Sequence, residues 1–530
     1  MNVQKIASLR SIDRRKFMQV CTTSLALAAV GCGRSRDRAL AGHSTITVLY
    51  FEEAALGPSW DMSAKFIAFL PLVTRNAKGE LEGRLAERWE RSPDYRNWTV
   101  HLRRDVRWHD GIPVTAHDIK FTLDLRMHPN VLATAPGAVS VTVLDDSTYR
   151  ITLHKEAIGS PLDDWTVYYP KHLLEKLDPT EFYQWDFWTR PVGNGPYRYL
   201  RGLAKTMMEF EANPDYYRGK PRIERVVFKF GEPSVNEILS GNVDVLPYVQ
   251  PMDLLKINKN DPRFRVYRDV SPGAGEGVIP NAIIWNQRHL LFRDPKIRRA
   301  LTLAINRREL RQALHLPEGM PIFDVLFTPG QLRRGEIPEA LPHDPNLAKR
   351  LLEEAGWHDT SGDGIRERDG KPFRFTLRTT VVEALDKPAI YIQAQLRRVG
   401  IQMDIQILDW SAHGQRVRDG DFEAAIFRRF PGGRFGPIEY FGKDSPIGYH
   451  NARLVALLEL AQDTFNPDEI DRIYRETWPI FQADQPRTFL PRGGASTVAH
   501  RRVRGISGAC EGDPTECMED LWLEDEQSKA

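Results

Sequence analysis

Arginines and glycines are concentrated in one short stretch of the C-terminal half, "RRFPGGRFGP" at residues 428–437. A guanidinium holds a carboxylate or a phosphate by paired hydrogen bonds, so Arg429 and Arg434 are candidate anion ligands. The same composition is compatible with a nucleic-acid loop or with an ordinary turn between two elements. The remaining sequence has to discriminate among these three interpretations.

The motifs that identify common enzyme classes are missing from the sequence. There is no Gly-x-Ser-x-Gly nucleophile elbow, no Walker phosphate loop, no His-Glu-x-x-His and no Cys-x-x-Cys pair. A hydrolase that uses two carboxylates remains an alternative, because two acids need no local motif and cannot be paired from sequence. We therefore predict no catalytic residue.

Histidines and acids give no clear metal site either. His315, His413 and His450 have no partner at ligand spacing, which leaves a nickel site as a minor alternative. The stretch "DTSGDGIRERDG" (359–370) begins like a calcium loop, but Gly370 stands where that loop requires a bidentate glutamate. We predict a turn at 359–370, no metal and no cofactor.

The first 32 residues have the pattern of an export signal. "RRKF" (14–17) precedes an apolar run at 20–30 that is shorter than the ~20 residues needed to cross a bilayer. The paired arginines resemble a twin-arginine signal, and "AVGC", ending at Cys32, resembles a lipoprotein processing box. We expect a signal peptide at 1–32 with lipidation of Cys32 and a polar tether at 33–44. Cleavage near residue 41 is the alternative.

Two of the four cysteines lie near the C-terminus. Cys510 and Cys517 flank "EGDPTE", and in an exported protein such a pair can close a small disulfide loop across the Pro/Gly turn. Two free thiols are the alternative. A zinc site is disfavoured, because no histidine lies between or beside the two cysteines.

Length and charge limit the class of protein. The chain has 530 residues, so several lobes are expected, and its 41% hydrophobic and 27% charged residues are ordinary for a globular protein. The formal net charge is +2, but residues 1–31 contain five basic residues and one acid, so the rest of the chain carries −2. A chain near −2 has no overall attraction to nucleic acid, and we predict none as a partner.

Strand and helix signals alternate along the exported chain, which predicts a mixed α/β fold. "STITVLYF" (44–51) has the alternation of a first strand, and Asp-Pro pairs at 294–295 and 344–345 predict the starts of helices. Apolar residues at helical spacing predict one continuous helix over 296–316. The alternation at 401–410 predicts a strand that ends at Trp410.

The order of the segments is more specific than any one of them. "GELEGRLAERWERSPDYRNWTVHLRRDVRWHDGIPVTAHDIKFTLD" (79–124) closely resembles the signature region of family 5 extracellular solute-binding proteins, the peptide- and nickel-type receptors of ABC importers. Seven further segments follow in the family's order, from "PVGNGPYRY" (191–199) to "RDGDFEAAIF" (418–427). The resemblance extends from about residue 45 to about residue 525.

The resemblance implies a two-lobed α/β fold like that of periplasmic binding proteins, of class II, with an extra subdomain in the N-terminal lobe. A hinge joins the two lobes, which close over a ligand. The expected boundaries are 45–70, 190–275 and 490–525 for lobe I, 71–189 for its inserted subdomain, and 276–489 for lobe II.

The resemblance also implies where ligand contacts lie, namely on hinge-proximal strands and cleft loops. Trp285 and Asn286 follow the expected hinge, and Trp410 follows a lobe II strand, so all three are candidate ligand contacts although an indole packs equally well in a core. Peptide-binding members typically carry an aspartate after the strand that ends at residue 427. This chain has Arg429 and Arg434 there, so we expect an acidic or blocked peptide, or another polar solute such as an oligosaccharide.

The function that the resemblance implies is capture of a peptide or related small polar solute for an ABC importer. The partners would be its permease and ATPase subunits, and contact with the membrane would be made only through an N-terminal lipid anchor. We expect a monomer at the outer face of the cell membrane or in the periplasm, and not an enzyme. A periplasmic hydrolase on the same scaffold and a sensory or chaperone-like binder remain the alternatives.

Overall fold

The structure of the chain is a computed structural model. It describes residues 44–50, 67–76, 80–128, 131, 139–154, 162, 166–203, 206–231, 234–258, 261–268, 281–316, 322–326, 337–381, 385–427, 436–443, 445–491, 496–507 and 514–524. Within these residues the chain forms three larger sheets of seven, five and four strands, together with three two-stranded ribbons.

The strands follow the chain from residue 45 to residue 523. They are β1 Thr45–Tyr50, β2 Val73–Arg75, β3 Leu81–Gly83, β4 Ala86–Arg91, β5 Asn97–Leu102, β6 Val139–Asp145, β7 Thr148–Leu153, β8 Tyr197–Leu203, β9 Met207–Ala212, β10 Arg225–Phe230, β11 Val245–Val249, β12 Phe264–Arg268, β13 Ala282–Trp285, β14 Glu367–Arg368, β15 Lys371–Pro372, β16 Arg374–Thr379, β17 Gln402–Ile407, β18 Ala424–Phe427, β19 Arg487–Phe489, β20 Ser496–His500, β21 Val503–Arg504 and β22 Trp522–Leu523.

Helices are concentrated after residue 290. They are α1 Ala116–Arg126, α2 Lys171–Leu174, α3 Val235–Leu239, α4 Pro251–Leu254, α5 Pro295–Ala304, α6 Arg307–Ala313, α7 Pro345–Glu354, α8 Lys387–Arg397, α9 Trp410–Arg418, α10 Gly436–Phe441, α11 Ala452–Asp463 and α12 Pro467–Asp484. Short 3-10 turns lie at Pro179–Gln184, Asp186–Thr189 and Pro514–Asp520.

The seven-stranded sheet has the order β12-β20-β11-β1-β10-β9-β8. Strand β1 pairs in parallel with both β10 and β11, whereas β20 runs antiparallel between β11 and β12. It follows that β1, β10, β11 and β12 end at the same edge of the sheet. Strand β20, which comes from the C-terminal part of the chain, begins at that edge.

The five-stranded sheet has the order β17-β16-β18-β13-β19. Strands β16, β17 and β18 are parallel, and β13 runs antiparallel between β18 and β19. Helices cover both faces, with one apolar cluster around Ile283 and Trp285 and another around Ala282 and Ile284. Alternate residues of β13 therefore point into opposite cores, as a strand covered on both sides requires.

The four-stranded sheet, β4-β5-β7-β6, belongs to the segment predicted as an inserted subdomain. Its apolar core is continuous with that of the seven-stranded sheet. Phe465, which lies between α11 and α12 beside the other sheet, also packs against this core. The guanidinium of Arg96, in the β4–β5 hairpin, lies 4.6 Å from the centre of the Phe465 ring.

Glycines in "PVGNGPY" allow a close approach between chain segments. A Cβ at Gly193 would lie 1.9 Å from the carbonyl oxygen of Ala68, so no larger residue fits there. The Asn194 carboxamide oxygen accepts a hydrogen bond from the amide of Leu70 at 2.8 Å. The ring of His109, from "RWHDG", accepts from the Gly193 amide and contacts the Gly195 carbonyl. These two motifs therefore hold the fold together.

Helix starts agree with the sequence, and one helix differs from it. Asp294 and Asp344 cap α5 and α7 with their side chains, each followed by proline at the first helical position. The continuous helix predicted at 296–316 is wrong, because Ile305 leaves the helical conformation and Asn306 caps a second helix. The predicted domain boundaries remain predictions.

Candidate functional site

The seven-stranded and five-stranded sheets are connected through the edges at which most of their parallel strands end. The chain leaves β12 at Arg268 and enters β13 at Ala282, and it leaves β19 at Phe489 and enters β20 at Ser496. The second connection contains six residues and spans at most about 25 Å. Since ligands of open α/β sheets bind outside the carboxyl ends of the strands, the space between these edges is the candidate site.

Two tyrosines mark this edge of the seven-stranded sheet. Tyr50 ends β1 and Tyr248 lies near the end of β11, and their hydroxyl oxygens are 3.3 Å apart. The rings meet edge to face at 5.7 Å. Tyr248 has φ +58°, and the pairing of β11 with β20 is irregular at this point. A left-handed tyrosine is strained, and such strain is concentrated at binding sites.

Neither Tyr50 nor Tyr248 is indicated as a site residue by the sequence. The alternating pattern of their strands identifies buried and exposed positions but says nothing about a bulge. Pro247 was the available signal, because proline inside a strand indicates an edge position or a bulge.

On the five-stranded sheet, an aromatic pair lies at the corresponding edge. The indole of Trp410 stacks on the ring of Phe427 at 6.0 Å with an interplanar angle of 6°. Phe427 is the last residue of β18, and 40% of the Trp410 side chain is exposed. An exposed indole next to the carboxyl end of a parallel strand is available to a ligand.

Trp410 opens a helix, so the predicted strand that ends at Trp410 is wrong. Strand β17 stops at Ile407, and the Asp409 carboxylate accepts the amide of Ala412 at 2.9 Å, which caps α9. The "DWSA" sequence carries this capping signal, but the alternation before it concealed the boundary. The indole is therefore fixed by the first turn of α9.

Trp285 and Asn286 lie inside the protein and not on an exposed cleft surface. The Trp285 side chain is fully buried, and its Nε1 donates to the Thr488 hydroxyl at 3.0 Å. The Asn286 carboxamide donates to the carbonyls of Phe422 and Gly420 at 2.6 and 3.0 Å. Both side chains are engaged in holding β13 against its neighbours, and their role as ligand contacts stays a prediction.

Arg429 and Arg434 lie outside the described residues. The stretch that carries them connects the end of β18 to the start of α10. Tyr440 lies in α10, just after this stretch. The guanidinium of Arg487 lies 4.3 Å from the centre of its ring. Arg487 is fully buried, and burial lowers its pKa to about 10, so the side chain keeps its charge at neutral pH.

The cysteines and histidines are only partly covered by the structure. Cys32 and Cys510 lie outside the described residues, and Cys517 is buried and takes part in a disulfide. His315 and His450 are exposed, whereas His413 is buried on α9. Within the part of the chain that is described, no three His, Cys, Asp or Glu side chains are placed to hold a metal ion.

The loop at 359–370 uses its acids internally. The Asp359 carboxylate accepts the amides of Gly362 and Gly364, and the Asp363 carboxylate accepts the amide of Ile365. The predicted turn is therefore confirmed at 359–365, whereas Glu367–Arg368 form strand β14. Among the described residues, no helix is both long enough and apolar enough to cross a membrane.

Comparison with known proteins adds relatives over most of the chain. Residues 80–441 match the family described as bacterial extracellular solute-binding proteins, family 5 Middle. The oligopeptide-binding protein AppA of Bacillus subtilis is 26% identical over 418 residues, which cover 74% of this chain and 75% of AppA. The nickel-binding periplasmic protein of Escherichia coli is 27% identical over 391 residues, 71% of this chain and 72% of that protein.

Solved structures share the fold of this chain. The structure of Bacillus subtilis AppA in complex with a nonapeptide has a TM-score of 0.75 and 23% identity, and the match covers 91% of this chain and 99% of that one. NikZ from Campylobacter jejuni in complex with Ni(L-His) gives a TM-score of 0.75 and 23% identity, over 90% and 99% of the two chains. The expected two-lobed, mixed α/β fold is confirmed. The chain belongs to the family 5 bacterial extracellular solute-binding proteins.

Proposed function

We propose that this chain is the exported substrate-binding component of an ABC importer, which captures a peptide or related polar solute between its two lobes and delivers it to a membrane permease. Membership of the solute-binding family supports this, as do relatives named for binding oligopeptide and nickel. The absence of a catalytic motif in the sequence favours binding over hydrolysis. A sensory binder would use the same cleft but transmit to a different membrane protein.

The observation that carries the proposal is the pair of aromatic sites at facing edges. Tyr50 ends β1 and Tyr248 lies near the end of β11 in one sheet, and Phe427 and Trp410 lie at the end of a strand of the other. Tyr248 and Trp410 are the accessible member of each pair, and the buried rings of Tyr50 and Phe427 support them. A solute that contacts both Tyr248 and Trp410 is bound more tightly when the edges approach, so it shifts the protein toward a closed state. Rings offer a broad apolar face, while tyrosine hydroxyls and the indole N–H supply polar contacts.

The proposed ligand class rests on the sequence after β18. Residues 428–435 contain three arginines and no acid, where peptide-binding relatives are expected to carry an aspartate for a free α-ammonium. Arg429 and Arg434 would attract a carboxylate or phosphate and repel an ammonium. We therefore propose an acidic or N-terminally blocked peptide, with an oligosaccharide or another polar solute as the alternative.

Mass spectrometry of the protein purified under native conditions identifies a bound solute directly. Calorimetry with acidic, blocked and free-amine peptides then compares the wild type with Arg434→Ala. Arg350→Ala, which changes an exposed arginine on α7, is the matched control for lost charge. We expect Arg434→Ala alone to weaken binding of an acidic peptide. Tight binding of free-amine peptides that Arg434→Ala leaves unchanged would contradict the ligand class but not the binding function.

Export and anchoring are separate parts of the proposal. Replacing Arg14 and Arg15 by lysine should block export through a twin-arginine route, and Cys32→Ala should release the protein from the membrane fraction. Intact-mass measurement of the mature protein tests both the lipid and a Cys510–Cys517 bridge. A soluble mature chain that begins near residue 42 would show that cleavage occurs without lipidation. We propose a monomer, which light scattering tests.

A further inference from the structure

His413 connects the helix that carries Trp410 to the strand that carries Phe427. Trp410 and His413 are three residues apart on α9, so they lie on the same face of the helix. The indole stacks on the Phe427 ring at 6.0 Å, and the imidazole contacts that same ring at 5.6 Å. Phe427 therefore has two neighbours from one helical turn.

A hydrogen bond from His413 to the backbone of β18 fixes this arrangement. The Nε2 atom of His413 lies 2.9 Å from the carbonyl oxygen of Ile426. A carbonyl only accepts, so Nε2 carries the hydrogen and Nδ1 carries the lone pair, and Nδ1 has no hydrogen-bond partner among the described residues. The side chain is completely buried, so water does not compete for this bond.

The charge state of the ring is compatible with this bond. Burial lowers the pKa of His413, and the nearby Arg378 guanidinium lowers it further. Arg378 itself donates to Gln406 at 2.9 Å and lies 3.4 Å from the Asp421 carboxylate. At neutral pH the imidazole is therefore uncharged and donates through Nε2 alone.

We propose that His413 is a positioning residue, which holds the stacked pair of Trp410 and Phe427 where the exposed indole can contact a solute. By donating to the carbonyl of Ile426, the last residue but one of β18, it fixes the end of that strand against α9 and holds Phe427 beneath the indole. The solute-binding role of the indole rests on the proposed function. The positioning by the imidazole does not, because it concerns contacts within the protein.

Three substitutions separate the hydrogen bond from the volume of the ring. His413→Leu fills a similar space without a donor, whereas His413→Gln places its amide nitrogen at the position of Nε2. His413→Asn is polar, but its amide is too short to reach the Ile426 carbonyl. Val417→Ala is the matched control, because Val417 is buried on the same helix and makes no such bond.

Fluorine NMR of protein labelled with 5-fluorotryptophan measures the position of the indole without any solute. The chain has 12 tryptophans, and the signal of Trp410 is assigned by its loss in Trp410→Phe. We expect His413→Leu and His413→Asn to move the Trp410 signal by more than its linewidth, and His413→Gln to restore it. If His413→Leu does not fold, the comparison of Asn with Gln carries the same information.

The outcomes that contradict positioning are specific. An unchanged Trp410 signal in His413→Asn would overturn the proposal, as would an equal shift in Val417→Ala, which would indicate general packing. Once a solute is known, His413→Leu should weaken its binding by about tenfold, as the loss of one well-placed contact does. If the NMR shifts are as expected but no solute is found to bind the protein, the result would count against the proposed function and leave the positioning intact.

Discussion

At the scale of single residues, one partly buried imidazole joins two chain segments that are distant in sequence. The imidazole of His109 accepts the Gly193 amide at 3.2 Å and lies 3.1 Å from the Gly195 carbonyl, so Nδ1 is the acceptor and Nε2 the donor. Both roles require the neutral ring. Both motifs belong to segments that carry the family resemblance, but local sequence does not show that they bind each other, since the contact joins segments more than 80 residues apart.

The first prediction concerns acid stability. Burial lowers the pKa of His109 to about 4, against about 6.5 in the unfolded chain. Below pH 6.5 the unfolded state binds a proton that the folded state does not, so the free energy of unfolding falls as the pH falls. The loss is at most about 3 kcal/mol near pH 4. Urea unfolding at pH 7.5 and pH 5 measures the part of this loss that occurs above pH 5.

The control for this prediction is an exposed histidine. His109→Gln should reduce the pH dependence, because glutamine does not titrate, whereas His358→Gln should leave it unchanged. An equal pH dependence in the wild type and His109→Gln would show that other groups cause the acid sensitivity.

The second prediction compares a buried ion pair with an exposed one. Arg307 donates to both carboxylate oxygens of Asp324 at 2.5 and 2.8 Å, and both side chains are buried. Asp324→Ala leaves a buried guanidinium without its carboxylate and should lower the free energy of unfolding by about 3–5 kcal/mol. The exposed pair Arg374–Asp404 has a similar distance, 2.7 Å, and Asp404→Ala should cost less than about 1 kcal/mol. Similar losses measured in urea would contradict this reasoning.

At the scale of elements, the sequence predicted strands and helix starts better than breaks. Local signals such as Asp294 before Pro295 act within one turn, and the structure confirms them. The break at Ile305 was missed because apolar spacing continues across it. Its causes are the Asn306 cap and a hydrogen bond from the Asn306 amide to the Gln395 side chain. Gln395 lies 89 residues further on, beyond the reach of a local pattern.

The third prediction tests the helix that presents Trp410. Asp409→Ala removes the side-chain cap of α9 and should lower the free energy of unfolding by about 1 kcal/mol. Asp409→Ser keeps a capping oxygen and should recover most of this loss. Chemical unfolding gives the free energy, and the assigned fluorine NMR signal of Trp410 reports the first turn. Equal stability of the alanine and serine variants would show that the cap contributes nothing here.

At the scale of the whole molecule, the ligand contacts depend on how the sheets approach each other. The family resemblance predicted two lobes and the chain segments near the cleft, because the order of motifs follows the topology. It did not predict which side chains face the cleft. Trp285 and Trp410 are alike in sequence context, yet one is fully buried and the other is 40% exposed. That difference arises from tertiary packing, which local sequence does not encode.

The fourth prediction concerns the contact between Arg96 and Phe465. It joins the β4–β5 hairpin to the segment between α11 and α12, and neither residue belongs to the two chain connections between the sheets. Phe465→Ala removes a cation–π contact of about 0.5–1 kcal/mol together with buried apolar surface. This loss would change the ratio of closed to open forms several-fold. Phe465→Ala should therefore increase the radius of gyration in small-angle scattering. Leu460→Ala, an exposed residue of α11, is the control, and an unchanged radius in Phe465→Ala would contradict the prediction.

The place of β20 has a consequence for biosynthesis. This strand lies between β11 and β12, yet it is made about 230 residues after them. Until residue 500 has left the ribosome, β12 has no neighbour in the sheet and one side of β11 is an open edge. The five-stranded sheet, whose strands lie within 282–489, can form earlier. The first segment to be synthesised is thus among the last to complete its fold, and a nascent or truncated chain exposes strand edges that chaperones would have to protect.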